Sequence, residues 1–267
     1  MVPRVSVLGR FRIDDRVAVV TGAGRGIGAA AAVALAEAGA DVVIAARTLE
    51  QLRGTASSIE AVGRAAHLIV ADLGDVVQIR SLSDAARATF GRLDVVVNNV
   101  GGAVPQPFMD TSVEQLEQAF HFNVSTAHAL VTSAVPLMLE NGGGSVINIS
   151  SVLALISGRG FLSYGTAKGA LAHYTRLAAQ DLAPRIRVNA IAAGTIATAA
   201  TDAITADAAL RSRVEAATPL RRLGTVEDVA AAVVYLASPA GAYLTGAVLE
   251  VHGGLLAPST QQPIPDL

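Results

Sequence analysis

The sequence predicts an α/β fold, a doubly wound parallel sheet of seven strands with helices on both faces. Seven short runs rich in Val, Ile and Ala alternate with longer segments of helical periodicity. The short runs read as nearly continuous apolar stretches, as strands covered on both faces do. At 267 residues and 52% apolar, the chain can bury a sizeable core in one layered domain. The βαβα order then calls for right-handed crossovers and a single parallel sheet.

The strands are expected at RVAVVT (16–21), DVVIAA (41–46), AHLIVA (66–71), LDVVVN (93–98), GSVINIS (144–150), IRVNAIA (186–192) and AVLEV (247–251). Helices are expected near 26–38, 48–62, 75–89, 112–139, 163–182 and 225–237, with Pro136 ending or kinking the fourth. No linker marks a second domain, so 1–267 reads as one unit with an N-terminal extension over 1–14. Residues 194–224 break the rhythm and read as a mobile flap. The polar, Pro-rich tail 257–267 is expected to be loosely held or draped on a partner subunit.

Composition excludes several classes. The net charge of −2 gives no pull toward nucleic acid or an anionic membrane. With no cysteine, disulfides and thiolate metal sites are ruled out. His67, His121, His128, His173 and His252 show no metal-ligand spacing, so no metal is expected. The opening MVPRVSVLGRFRIDD lacks a signal-peptide core, and no run of about 18 apolar residues suggests a membrane span. A cytoplasmic enzyme is the expectation.

The loop TGAGRGIG (21–28) follows the first strand and opens the first helix. Gly22 can turn sharply, Gly26 lets backbone approach a pyrophosphate, and Gly28 allows close helix–strand packing. The helix N-terminus behind them offers free N–H groups to phosphate. Glycines also end strands for purely structural reasons, but the position at the first βα junction favours a nucleotide. After the second strand, Ala46 stands where an NAD enzyme usually carries an acid, and Arg47 follows. With Arg25 nearby, two positive charges could meet a 2′-phosphate. NADP(H) is therefore favoured, with NAD(H) possible if both are only solvated surface arginines.

In SYGTAK (163–168), Tyr164 and Lys168 stand at i and i+4, on one helix face. The chain has 19 arginines and a single lysine, Lys168. An adjacent cation favours phenolate and lowers the tyrosine pKa, and a lysine can also reach a ribose hydroxyl. Such a pair alone is commonplace. Ser151, ending the fifth strand in NISS, could hold a substrate oxygen; its rival Ser150 points to the opposite face by strand alternation. Asn148 in the same strand reads as structural.

In order and spacing these motifs resemble the short-chain dehydrogenase/reductase superfamily, in its single-domain branch with a Rossmann-like fold. That family has TGxxxGxG where residues 21–28 stand, then a catalytic Asn, a Ser and Tyr-x-x-x-Lys in this order. The resemblance implies catalytic roles for Asn123 (in FHFNVS), Ser151, Tyr164 and Lys168, with Asn123 binding a water that links the lysine to solvent. It places Asp72 at the adenine ring and adds Ile27, Leu73 and Asn99 to the cofactor site. NNVGG (98–102) resembles the family's NNAG, with Asn98 bracing the sheet and Gly101 letting the cofactor pass. AAGTIAT (192–198) resembles PGxxxT, with Ala193 in place of proline, Gly194 at the turn, and Thr198 and the Ile196 backbone at the nicotinamide carboxamide.

The resemblance covers residues 15–254. Within the family, NNVGG, ENGGGSVINISS and TPLRRLGTVEDVA resemble bacterial 7α-hydroxysteroid dehydrogenases and 3-oxoacyl-carrier-protein reductases. It implies hydride transfer between NADP(H) and a hydrophobic ketone or secondary alcohol, steroid-like or 3-oxoacyl, and a homotetramer. Val104, Val152, Leu153, Phe161 and the flap 199–216 would line the substrate site, and their apolar character suits a hydrophobic carbonyl or is generic packing. Pairing faces would include Leu116, Phe120, Val124, Leu171, Tyr174 and Leu177. Alternatives are an NAD-dependent alcohol dehydrogenase of the same family and a nucleotide-binding homologue without catalysis. An epimerase or dehydratase of the family usually carries TGxxGxxG instead.

Overall fold

A computed structural model describes residues 6–255 and 257–259. Its strands are β1 (Val17–Thr21), β2 (Asp41–Ala46), β3 (Ala66–Val70), β4 (Val95–Asn98), β5 (Gly144–Ser151), β6 (Ile186–Ala193) and β7 (Val248–Val251). They form one seven-stranded sheet in the order β3-β2-β1-β4-β5-β6-β7, and every pairing is parallel. The order reverses between β1 and β4. A crevice opens there beyond the carboxyl ends of the strands.

Both faces of the sheet are buried, as continuous apolar strands require. Ala18 and Val20 of β1 join one core with α1 (Gly26–Glu37), α2 (Leu49–Ala61) and α9 (Val226–Ala237). Val17 and Val19 point the other way, into a core with α3 (Val76–Phe90) and α5 (Thr126–Glu140). The helix α6 (Leu162–Leu182) closes that second face beside β5 and β6. Thus seven strands and six main helical segments fall where the sequence places them.

The fourth helical segment differs. It is α4 (Val113–Phe120), a π-helical turn His121–Ser125, and then α5. Pro136 lies inside α5, and the helix runs on to Glu140, so the break falls at Asn123 rather than at the proline. In that widened turn Asn123 Nδ2 donates to the Ala119 carbonyl at 2.8 Å. A side chain thereby supplies a partner to backbone at the irregularity. The whole run Val113–Glu140 is long and apolar enough to cross a membrane, which the sequence reading had not expected. Yet 56% of its most apolar window is buried inside the protein, and α5 spends its apolar face on the core.

The rhythm-breaking stretch 194–224 carries two helices, α7 (Asp202–Ala206) and α8 (Ala208–Ala217). Asp207 caps α8 by accepting from Ala209 and Leu210 N–H groups. Of the N-terminal extension, residues 1–5 lie outside the described residues. The rest is tied down: Ile13 N–H donates to Ala38 O at 2.8 Å and Arg12 Nη1 to Glu37 O at 3.0 Å. Of the tail, 256 and 260–267 lie outside the described residues, while 257–259 pack on their own chain.

At the amino ends of β1 and β4, Asp94 is buried and accepts from Arg16 Nη1 (2.7 Å), Arg92 Nε and Nη2 (2.8 Å each) and the Val17 N–H (3.0 Å). Burial alone would raise its pKa. The hydrogen bonds from Arg92, Val17 and Arg16 outweigh that and hold the carboxyl below the usual range. A carboxyl with a lowered folded-state pKa stabilises fully above its unfolded value of about 3.9 and loses this as pH falls through the folded value. Asp94→Asn should therefore cost about 2 kcal/mol at pH 7, and the gap should begin to narrow only below about pH 4. Urea unfolding from pH 7 to pH 3 checks this; a gap independent of pH would refute it.

Candidate active site

The glycine loop is held open by its neighbours. Gly22 and Gly26 have φ of +66° and +61°, a left-handed backbone that favours glycine. A Cβ on Gly28 would stand 2.3 Å from Gly22 O, so α1 packs against the end of β1 at a distance only glycine allows. Asn99 Nδ2 donates to Thr21 O at 3.0 Å and Gly22 O at 3.3 Å, and Thr55 Oγ1 donates to Ala23 O at 2.9 Å. The amide donors of Asn99 are thus committed to bracing the loop. Across the loop, a Cβ on Gly26 would lie 3.5 Å from the Thr198 methyl. The start of the 194–224 segment therefore faces the head of α1, and the cradle left by these glycines fits a dinucleotide phosphate.

The remaining predicted cofactor residues lie at the start of α1 and on the segments that follow β2, β3 and β6. Arg25 is the N-cap of α1 and Arg47 follows β2; both are exposed. The side chain of Ala46 faces the loop, its Cβ 3.2 Å from where a Cβ on Gly24 would be. Asp72 Oδ1 accepts from Gly74 N–H at 2.9 Å and shapes the turn after β3, while Leu73 sends its side chain into the core. Ile27 is half-buried against the first core. Gly194 has a packing reason of its own, since a Cβ there would lie 2.6 Å from His252 Cα. Ile196 is buried, and Thr201 Oγ1 ties it to Thr198 by donating to Ile196 O (2.8 Å) and accepting from Thr198 N–H (2.9 Å). That hydroxyl and the Gly194 N–H to Val251 O bond stiffen a turn that lacks the family's proline.

The four catalytic candidates converge beside the cradle. Ser151 ends β5, accepts from Leu153 N–H at 3.2 Å, and stands near enough to Tyr164, in the first turn of α6, to favour its phenolate. Lys168, one turn on, is 3% exposed and donates from Nζ to Ile149 O at 2.9 Å. Its Nζ lies 5.8 Å from the centroid of the Tyr164 ring. Asn123 accepts from Gly102 N–H (3.1 Å) and donates to Gly102 O (3.0 Å). A Cβ on Gly101 would meet Asn123 Oδ1 at 2.4 Å and Lys168 Nζ at 2.5 Å. Gly101 is therefore glycine because the lysine and asparagine close on its Cα, a reason beyond the expected cofactor passage.

The electrostatics correct one expectation. Tyr164 is not lowered: burial raises its pKa, opposed by the Ser151 hydrogen bond. Burial also pushes Lys168 down to about 8. Both groups share one desolvated site, so the charged form of each is penalised before it can help the other. In this geometry Tyr164 holds its proton at neutral pH, ready to donate.

Ser150 donates to Lys168 O at 3.1 Å and so braces α6, and Asn148 accepts from Asn98 Nδ2 of β4 (2.8 Å) and donates to Thr175 Oγ1 of α6 (2.8 Å), the structural role its reading expects. The carbonyl of Ile149 and the backbone of Gly102 were missed, because a backbone group leaves no mark on residue identity.

A parallel sheet with a glycine cradle at its switch point and a Ser–Tyr–Lys cluster beside it defines a dinucleotide-dependent oxidoreductase. The family model described as enoyl-(acyl carrier protein) reductase matches residues 22–256. The chain belongs to the short-chain dehydrogenase/reductase superfamily. It is 59% identical to an uncharacterized oxidoreductase of Mycobacterium tuberculosis over 98% of this chain and 100% of that one. An L-rhamnose 1-dehydrogenase (NAD(P)(+)) of a Sphingomonas species is 37% identical, covering 91% of this chain and 97% of that protein. A structure of 7α-hydroxysteroid dehydrogenase with NADH and 7-oxo glycochenodeoxycholic acid superposes with a TM-score of 0.87 at 34% identity, over 92% of this chain and 96% of that one.

Gly101→Ala tests the convergence directly. The new methyl must displace Lys168 or Asn123, so turnover should fall by about 10²-fold, the scale of a disturbed acid–base assembly, while circular dichroism stays native. Turnover within threefold of wild type would show that the two side chains do not need this approach.

Proposed function

We propose that the protein is an oxidoreductase that transfers a hydride between NADP(H) and a hydrophobic ketone or secondary alcohol. The observation that carries the reading is the buried Ser151–Tyr164–Lys168 cluster beside the glycine cradle. The nicotinamide, when bound, supplies or accepts the hydride. Ser151 orients the carbonyl oxygen by hydrogen bonding, and Tyr164, kept protonated by burial, donates to that oxygen in the reductive direction. Lys168 binds a ribose hydroxyl and, with Asn123, holds a water-mediated path that restores the proton of Tyr164.

NADP(H) is favoured over NAD(H) because the side chain at 46 faces the cradle and is only a methyl, with exposed Arg47 next in sequence and exposed Arg25 in the glycine loop. The relatives divide on this point, as the names NADH and NAD(P)(+) attached to them show. They divide on substrate as well, between a bile acid and a sugar. An apolar carbonyl is supported by exposed Val104 and by Leu153 and Phe161, whose side chains come together at Gly158 in the loop after Ser151. A homotetramer is supported by exposed Phe120 on α4 and Leu177 on α6, whereas Val124 and Leu171 of the expected pairing faces are buried against Tyr174 inside their own chain.

The reading is tested by NADPH oxidation against a panel of ketones, with Lys168→Arg as the probe of mechanism. A guanidinium is planar, bulkier and effectively never deprotonated, so it fits the buried slot above Gly101 badly. Turnover should fall by about 10²-fold, with the pH–rate profile moved alkaline; more than about a tenth of wild-type turnover with an unmoved profile would mean that charge alone suffices.

Cofactor choice is tested separately. Ala46→Asp should shift preference from NADPH toward NADH, because a carboxylate repels a 2′-phosphate and accepts from a 2′-hydroxyl. Wild type already tenfold better with NADH would reduce Arg47 to a surface arginine.

A further inference from the structure

The end of the chain is rooted with unusual care. After β7, His252 Nδ1 accepts from both Gly254 N–H (3.2 Å) and Leu255 N–H (3.0 Å). Its other nitrogen meets Glu250 at 2.5 Å, which assigns the proton to Nε2. Gly253 and Gly254 have φ of +67° and +85°, and Gly253 O accepts from Leu220 N–H at 3.1 Å. Leu255 is then buried. The strand exit is thereby fixed to the downstream end of the 194–224 segment.

From this root the chain crosses the site. A Cβ on Gly158, in the loop between β5 and α6, would stand 2.9 Å from Pro258 Cγ, 3.1 Å from Phe161 and 3.5 Å from Leu153. The Ser259 and Thr195 hydroxyls share a hydrogen bond of 2.7 Å. Gly158 and Leu153 belong to the loop that begins at Ser151, and Thr195 begins the turn that leads to Thr198. The two loops flank the carboxyl ends of β5 and β6, where Ser151 and Ala193 are register partners.

We infer that residues 257–259 form a strap across the substrate site of their own chain, with Pro258 as an apolar wall that discriminates among substrates by size. The inference rests on the functional reading above for what the site binds, but not for where the strap lies. Pro258 lengthens the apolar surface of Leu153 and Phe161, so it contacts the distal part of a bulky substrate and stays clear of a small one. The Ser259–Thr195 bond fixes the strap to the turn at the head of the flap.

Position is tested without activity. The chain has no cysteine, so Thr195→Cys with Ser259→Cys introduces its only two thiols. Their oxygens stand 2.7 Å apart, close to the disulfide S–S length of about 2.05 Å. Oxidation should consume both thiols and leave a single 27.1 kDa chain on a non-reducing gel. Cross-linked dimers, or two thiols still titratable, would overturn the strap.

Specificity is tested with Pro258→Gly on cyclohexanone and 2-decalone. KM for 2-decalone should rise about five- to tenfold through lost apolar contact, while kcat and the cyclohexanone constants hold. Equal changes for both ketones, or none, would overturn the wall. If wild type reduces neither ketone, the functional reading fails and the specificity role goes with it, whereas the cross-link still decides position.

Discussion

The buried ammonium of Lys168 is the constraint around which the site is organised. Its Nζ is held on the Ile149 carbonyl and faces Asn123 over the Cα of Gly101. A cation in that position needs a carbonyl acceptor from β5, a helix that delivers it one turn after Tyr164, and a neighbouring strand exit with no side chain. β5, α6 and the Gly101 turn meet all three. The cost of desolvation shows in a lysine pushed down to about 8 and a tyrosine pushed up. Such opposed shifts give a proton donor and a group near titration side by side.

Asn123 extends this arrangement to the irregular helix. A regular α-helix through 113–140 would carry one continuous hydrogen-bond ladder. The π-turn at His121–Ser125 instead lets the asparagine amide bond both to Ala119 within its own segment and to Gly102 in the neighbouring loop. The side chain therefore joins the helix layer to the strand-exit layer at the point where the lysine emerges. π-Turns inside helices are frequent at functional sites, and this one carries the candidate Asn123.

The cofactor half is built on close approach. Gly28 brings α1 against the end of β1, Asn99 and Thr55 hold the loop from either side, and Thr198 faces Gly26. The proposed substrate half is bounded differently, by residues 257–259, which lie outside the sheet and pack on Gly158 and Thr195. His252 joins the two by pinning the exit of β7, so the last strand of the sheet both finishes the core and aims the chain end back across the site.

The sequence by itself determined the sheet, its helices and the candidate site residues. Strand and helix periodicities differ, and Gly22, Ser151, Tyr164 and Lys168 are residue types that such chemistry cannot replace. The π-turn, the role of Gly101 and the helices of the flap were decided only by tertiary structure. Pro136 was the visible breaker, yet the break lies at Asn123, because packing and a side-chain bond to Gly102 outweigh local propensity. Likewise the polar composition of the tail suggested a loose or partner-bound end. The place of residues 257–259 was set by contacts distant in the chain, Gly158 to Pro258 and Thr195 to Ser259, which no local pattern encodes.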